Sequence, residues 1–169
     1  MTVDSEGSTA DLSAYQDVQV IRDALRTART IAIVGLSPNV LRPSHFVGYY
    51  AQRHGYRVVP VNPREKEILG EISYPSVSAI PFRVDVVDVF RTPDAVPEIA
   101  HEAVAAGARV LWCQFGVIST EGAAIAIRGG LKVVMDRCFK VEHARHMGRM
   151  HWLGFNTGVI TSQRLVIDR

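Results

Sequence analysis

The first strongly apolar segment of the chain is followed by residues that can bind phosphate. Residues 30–34 are a short apolar run that ends at Gly35, and the residues beyond it include the hydroxyl groups of Ser37 and Ser44 and the guanidinium group of Arg42. A glycine turn between a strand and a helix directs backbone N–H groups and the positive end of the helix toward an anion. This segment therefore predicts a site for the phosphate groups of a nucleotide.

The segment departs from the dinucleotide-binding pattern at two points. No G-x-G-x-x-G sequence includes Gly35, and the second apolar run ends in Asn62, Pro63 and Arg64 instead of an acidic residue. Enzymes that bind NAD use that acidic residue to hold the ribose hydroxyls. The residues thus favour a nucleotide other than NAD. An NAD(H)-binding redox sensor stays open as an alternative, because sheets with altered glycines still bind dinucleotides.

Alternating apolar segments indicate the elements that position these residues. Short β-branched or apolar runs bounded by turn residues predict strands, and apolar positions at helical spacing predict helices between them. Such alternation, with right-handed crossovers, predicts an α/β fold with a doubly wound parallel sheet. The predicted strands are residues 30–34, 56–61, 84–90, 109–113 and 131–135, and the predicted helices are residues 18–28, 43–54, 93–106 and 119–128.

The order of the strands predicts where a ligand would bind. With a short edge strand at residues 72–74 as the third strand, we expect the order 3-2-1-4-5-6. In such a sheet the ligand lies beyond the carboxyl ends of the strands, at the point where the strand order reverses. The candidate binding residues that meet there are Gly35, Leu36, Ser37, Pro38, Asn39, Arg42, Ser44, Asn62, Pro63, Arg64, Phe90, Arg91, Thr92, Gln114 and Gly116.

Three of these candidates have an equally good structural role. Phe90 ends an apolar run and fits the core, and Gln114 follows a buried strand, where its amide can pair with the backbone. Arg64 can form surface ion pairs with Glu65 or Glu67. The sequence leaves both roles open for each of them.

Length and composition indicate one domain. The chain has 169 residues, 47% of them hydrophobic, and its net charge of +2 comes from interspersed charges without a basic run. We therefore expect no nucleic-acid or membrane partner. No apolar run approaches the roughly 20 residues of a membrane span. Cys113 and Cys138 lie far apart in apolar segments, as expected of reduced thiols in a cytoplasmic protein.

Three regions are expected along the chain. Residues 1–14 are polar and predict a mobile N-terminal tail, and residues 15–147 hold the α/β domain. Residues 148–169 include apolar side chains such as Trp152 and Phe155, which predict docking on the core or on the second subunit of a homodimer. The sequence does not distinguish these two surfaces.

Five short motifs in the core carry a family resemblance. They are Gly35-Leu36-Ser37-Pro38-Asn39, Arg42-Pro43-Ser44, Pro60-Val61-Asn62-Pro63, Val86-Val87-Asp88-Val89-Phe90-Arg91 and Val134-Met135-Asp136-Arg137-Cys138. In order and spacing they resemble the stand-alone CoA-binding domain family. That family is similar to the N-terminal CoA-binding domain of the succinyl-CoA synthetase alpha subunit, which has a Rossmann-like fold.

The resemblance implies a ligand and its position. Coenzyme A or an acyl-CoA would occupy the crevice, with its phosphates near Gly35, Ser37, Arg42 and Ser44. Asn62, Pro63 and Arg64 would flank the adenosine end, and Phe90, Arg91 and Thr92 would line the other wall. Ligase activity by this chain alone is not expected, because the synthetase also uses a second domain and a phosphorylated histidine. The resemblance thus implies binding without catalysis.

An enzyme acting on an acyl-CoA is the other alternative. Cys138 lies beside Arg137, whose charge would favour a thiolate, although a buried and inert thiol is the simpler interpretation. A mixed disulfide with the thiol of CoA is a further role for Cys138. No metal site is predicted, because His143, His146 and His151 lack accompanying ligands at a known spacing.

Overall fold

Buried β-branched strands form the centre of the fold. The computed structural model describes residues 11–148, and five of its strands form one parallel sheet. In chain order the strands are β1 (Thr30–Val34), β2 (Arg57–Val61), β3 (Glu67–Ile68), β4 (Glu71–Ile72), β5 (Val86–Val89), β6 (Val110–Cys113) and β7 (Lys132–Val134). The order in the sheet is β2-β1-β5-β6-β7, and β3 pairs with β4 as a separate antiparallel hairpin.

Helices cover both faces of this sheet. They are α1 (Val18–Thr27), α2 (Pro43–Arg53), α3 (Val96–Ala105), α4 (Thr120–Arg128) and α5 (Phe139–His146). Ile31 and Ile33 of β1 belong to one core cluster with residues of α1, α2 and α5, whereas Ala32 and Val34 belong to the other with residues of α3 and α4. Because side chains of a strand alternate between faces, a strand covered on both faces is apolar throughout.

The predicted α/β fold with a doubly wound parallel sheet is confirmed. The five longer strands occur in the expected order, and the edge strand predicted at residues 72–74 is reduced to a parallel bridge between Tyr74 and Val61. There the Asn62 N–H donates to the Tyr74 carbonyl at 2.9 Å. None of the helices in residues 11–148 is long and apolar enough to cross a membrane.

Two elements were not predicted. The β3–β4 hairpin turns at Leu69 and Gly70, both with positive φ, of 56° and 74°. Such turns are usually signalled by Asn-Gly or Asp-Gly, and Leu-Gly carries no such signal. Besides Phe139, α5 buries Glu142, His143 and His146, so most of its inner face is polar in the sequence.

The predicted terminal regions fall largely outside the described residues. Residues 1–10 of the expected N-terminal tail and residues 149–169 of the expected docking segment are not described. Residues 13–15 form a 3-10 turn before α1.

Candidate functional site

The turn after β1 can be formed only by glycine. Gly35 has φ +86°, and its N–H donates to the carbonyl of Val61 at 2.9 Å. A Cβ at this position would lie 2.7 Å from the carbonyl oxygen of Phe90 and 3.1 Å from Cδ of Arg91. Glycine therefore lets the β1–α2 turn lie directly against the chain that leaves β5.

Polar groups within the turn hold the rest of its shape. The Ser37 N–H donates to Oγ of buried Ser44 at 3.1 Å, and Oγ of Ser37 accepts from the Asn39 N–H at 3.1 Å. Oδ1 of Asn39 accepts from the Leu41 N–H at 2.9 Å, and Nδ1 of His45 lies 2.9 Å from the Ser37 carbonyl oxygen. The two predicted hydroxyls thus fix the conformation of the turn.

The side chain of Asn62 connects this turn to the end of β2. Nδ2 of Asn62 donates to the Leu36 carbonyl at 2.9 Å, and Oδ1 accepts from the Arg64 N–H at 2.9 Å. The second bond is the side-chain-to-backbone contact that makes asparagine favourable in turns. Asn62 thereby joins the β1–α2 turn to the segment that carries Arg64.

A cleft of about 480 Å³ opens where these segments meet, at the carboxyl ends of β1, β2 and β5. The strand order reverses at β1, so this is the position at which doubly wound sheets bind ligands. Arg64 and Arg91 provide positive charge along its lining, and α3 contributes Glu98 and Glu102. Oε2 of Glu102 accepts a bond from the Ser78 N–H at 3.1 Å, which engages that carboxylate.

The cleft brings together part of the predicted set. Leu36 and Ser44 are buried, while Pro38, Asn39, Arg42 and Thr92 are exposed and are not among its lining residues. Arg42 is the N-cap of α2. The predicted residues that line the cleft are Gly35, Ser37, Asn62, Pro63, Arg64, Phe90 and Arg91.

The remaining two predicted residues follow β6 and make contacts within the protein. Nε2 of Gln114 donates to Oδ1 of the fully buried Asp88 at 2.7 Å. Burial raises the pKa of Asp88 to about 7, against the opposing effect of the Gln114 hydrogen bond. The Gly116 N–H donates to Oδ1 of Asp136 at 2.8 Å. Ligand contacts at Gln114 and Gly116 stay predictions.

Sequence reasoning missed the wall of the cleft opposite β1. That wall comes from the segment after the Tyr74 bridge and from the start of α3. The placement of α3 after β5 was a signal for it, because a helix that starts at the carboxyl end of a strand directs its first turns toward the switch point. The missed lining residues are Pro75, Ser76, Val77, Ala95, Glu98, Ile99 and Glu102.

Cys138 lies in an environment that favours the thiol. Burial raises its pKa, and the nearby Asp88 carboxylate adds to that effect. The residue is half-buried at the N-cap of α5 and is not among the residues that line the cleft. Within residues 11–148, no group of three or more His, Cys, Asp or Glu side chains is arranged to hold a metal ion.

Sequence and structure comparisons give related results. The sequence profile of a family described as "CoA binding domain" matches residues 29–144. The chain is 38% identical over 124 residues to the uncharacterized protein YneT of Bacillus subtilis, covering 73% of this chain and 92% of that protein. It is also 33% identical over 121 residues to the ADP-forming acetate–CoA ligase I of Archaeoglobus fulgidus.

The ligase match is confined to one part of a longer protein. It covers 65% of this chain but 18% of the ligase. Among solved structures, a hypothetical protein from Pyrococcus horikoshii superimposes with a TM-score of 0.76 at 39% identity, covering 78% of this chain and 93% of that one. The sequence match and the structural match therefore agree on the family and the fold.

Proposed function

This chain belongs to the CoA-binding domain family, and from that membership we propose that it binds coenzyme A or an acyl-CoA in the cleft at the carboxyl ends of β1, β2 and β5. The observation that carries the proposal is the cleft itself, which lies at the reversal of strand order and combines the Gly35 turn with Arg64 and Arg91. Among the relatives, the Archaeoglobus ligase is one whose name includes CoA.

The pyrophosphate of CoA would lie against the β1–α2 turn. Gly35 lines the cleft at the end of β1, and the positive end of α2 follows. Arg91 reaches this turn, since its Cδ is the side-chain atom nearest the Cβ position of Gly35. Arg42, exposed at the N-cap of α2, is available to the same phosphates.

The adenosine end would lie beside the end of β2. Asn62 and Arg64 occupy the place where NAD enzymes carry a carboxylate, and a guanidinium group there suits a ribose that bears a phosphate. CoA carries a 3′-phosphate on its ribose, whereas NAD carries free hydroxyls. The charge at this position therefore supports CoA over the NAD(H) alternative.

Binding without catalysis is the form of the proposal that fits the site. The raised pKa of Cys138 keeps its sulfur protonated at neutral pH, and the residue is outside the cleft lining. Thiolate is the reactive form of cysteine, so this environment gives no support to acyl transfer through Cys138. The role we propose is to hold CoA for carriage, sensing or protection.

Isothermal titration calorimetry with CoA, dephospho-CoA and NAD tests the proposal. We expect saturable binding of CoA, weaker binding of dephospho-CoA, and still weaker binding of NAD. Arg64→Ala and Arg91→Ala each remove a charge-assisted contact worth about 1.5–3 kcal/mol, so each should weaken CoA binding by roughly 10- to 100-fold.

Arg128→Ala is the matched control, because Arg128 is an exposed arginine in the last turn of α4, outside the cleft lining. The affinity of the Arg128→Ala variant for CoA should equal that of the wild type. Folded protein that shows no heat of CoA binding would refute the proposal. Tighter binding of NAD than of CoA would instead identify a dinucleotide sensor.

A further inference from the structure

A patch of exposed apolar side chains lies at the start of α2, outside the proposed CoA cleft. It consists of Val40, Leu41, Phe46 and Tyr49, and we call it the α2 patch. Leu41 is 84% exposed, and Phe46 and Tyr49 are more than half exposed. Contiguous exposed apolar groups on a small domain mark interaction surfaces.

The geometry of α2 places these side chains together. Phe46 and Tyr49 are three residues apart and so share one face of the helix. The residues between and beyond them, Val47, Gly48 and Ala51, face the core. Leu41 precedes the N-cap and Phe46 is the fourth helical residue, a pair of positions that commonly lie side by side at a helix start.

Helix α5 runs beside this surface. Nζ of Lys140 lies 5.1 Å from the centre of the Phe46 ring. Nδ1 of His143 lies 3.0 Å from the hydroxyl oxygen of Tyr50. α5 then ends in a tight turn, in which the Gly148 N–H donates to the His143 carbonyl at 3.1 Å. α5 therefore runs along α2, and its last residue, His146, lies against Arg22 of α1.

Residues 149–169 follow immediately and have the matching composition. They contain Trp152, Phe155, Val159 and Ile160, and they lie beyond the family match, which ends at residue 144. α2 has 11 residues and is about 16 Å long, whereas the segment reaches up to about 70 Å when extended. The segment is therefore long enough to run back along the whole exposed face of α2.

We infer that residues 149–169 of this chain dock on the α2 patch of the same molecule. Covalent attachment at the end of α5 gives the segment a millimolar effective concentration at the patch. A second copy has no such advantage, and a stable dimer buries about 800 Å² on each partner. The α2 patch has only four side chains, which are already partly covered and provide much less than that area. The patch is therefore better suited to a covalently attached segment than to a second copy of the chain.

Photo-crosslinking in the full-length protein tests this inference directly. p-Benzoylphenylalanine in place of Phe46 keeps an aromatic ring in the patch and reacts with whatever covers it. The variant is prepared with light and heavy nitrogen, the two forms are mixed, and the crosslinked peptides are identified by mass spectrometry. We expect crosslinks to residues 149–169 in which both peptides carry the same isotope.

Two results would overturn the inference. Crosslinks that join light to heavy peptides would show that a second copy covers the patch. Crosslinks that reach other parts of the chain, or no crosslinks within the chain, would show that the segment does not dock there.

Limited proteolysis gives an independent measurement. Trypsin cleaves after Arg164, and docking should protect that bond in the wild type. Phe46→Ser combined with Tyr49→Ser should accelerate its cleavage about tenfold, because loss of about 1.4 kcal/mol of docking free energy increases the open population by that factor. Equal cleavage rates would contradict the inference.

Ile127→Ser is the control for loss of a surface apolar group. Ile127 is half exposed on α4, which packs on the opposite face of the sheet. Its variant should be cleaved at the wild-type rate, and both variants should keep the far-ultraviolet circular dichroism of the wild type. The readout does not involve CoA, so it is independent of the proposed function.

Discussion

At the scale of single residues, Gly35 determines how closely the two walls of the cleft approach. A positive φ by itself is common in turns. At Gly35, however, a Cβ would also lie only 2.7 Å from the Phe90 carbonyl oxygen. The glycine is therefore required twice, by backbone conformation and by the neighbouring strand. Gly55 has nearly the same φ, +87°, with nothing within 4 Å of its Cβ position.

This pair of glycines separates the two effects. Gly55→Ala should cost about 1 kcal/mol, the ordinary penalty for a left-handed conformation. Gly35→Ala should cost at least about 2 kcal/mol more, because the turn or the β5 end must also shift. Urea unfolding of the two variants measures the difference. Equal losses would mean that the contact with Phe90 is relieved without strain.

Asp88 makes stability depend on pH. Burial raises its pKa to about 7 in the folded protein, above the value of about 3.9 in an unfolded chain. The folded state thus binds its proton more tightly, and the stability that this provides is lost as pH rises through 7. Asp88→Asn keeps an oxygen that accepts the Gln114 bond but cannot ionise.

Relative to the wild type, Asp88→Asn should therefore gain about 2 kcal/mol in free energy of unfolding between pH 5 and pH 8. Urea denaturation at both pH values provides the measurement, and Asp23→Asn on the exposed side of α1 serves as the control. A difference that does not change with pH would show that Asp88 stays ionised over this range.

At the scale of elements, α5 combines a buried ionic cluster with one buried apolar side chain, Phe139. The carboxylate of buried Glu142 lies 3.6 Å from Nε of Arg137, 3.7 Å from Nη1 of Arg145 and 3.2 Å from Nε2 of His146. Nε of Arg22 on α1 donates to Nδ1 of His146 at 3.4 Å, which leaves the ring proton on Nε2, toward Glu142. Glu142 thus helps to attach α5 to α1.

Removal of this carboxylate should loosen the helix. Glu142→Ala leaves the surrounding cations without their anion and should lower the free energy of unfolding by about 3 kcal/mol. Glu121→Ala, at an exposed position in the first turn of α4, should cost less than about 1 kcal/mol. Hydrogen exchange of the α5 amides should accelerate only in the first variant. Unchanged hydrogen exchange in Glu142→Ala would show that Phe139 and its aromatic neighbours, not Glu142, hold α5 on the domain.

Elements with apolar buried faces could be predicted from the sequence, and elements with polar buried faces could not. Strands such as β1 and β5 are covered on both faces, so their unbroken apolar runs are easy to recognise. α5 was missed because three of its four buried positions are the polar residues Glu142, His143 and His146. Local patterns do not show that tertiary partners will neutralise such groups.

The residues of the cleft also divide into a part that could be predicted from the sequence and a part that could not. The Gly35 turn and Arg64 could be predicted, because strand order alone places them at the switch point. The position of α3 after β5 pointed to the wall that contains Glu98, but which residues line the cleft there depends on how α3 and the segment after the Tyr74 bridge pack. For Ser44 and Gln114 the polar residue types indicated a hydrogen-bonding role, but the side chains bond within the protein, to Ser37 and Asp88.

At the scale of the whole molecule, one sheet joins the cleft to the rest of the domain. The cleft lies beside β1, β2 and β5, while β7 is the opposite edge strand. Helices of both layers pack on the same strands: in β6, Val110 and Trp112 belong to one core cluster, and Leu111 and Cys113 belong to the other. A domain built in this way is expected to unfold cooperatively, and a ligand bound at one edge should stabilise it as a unit.

CoA at about 100 times its dissociation constant should stabilise the folded state by about 2.7 kcal/mol. For a domain of this size, that corresponds to a rise of roughly 5–10 °C in Tm. Hydrogen exchange should slow in β7 (Lys132–Val134) as much as in β1, because both strands open only in global unfolding. Arg91→Ala at the same CoA concentration should show a smaller rise, and Arg128→Ala the full one. Protection confined to β1 and β2 would instead mean that the edge of the sheet opens independently and that CoA stabilises only this edge.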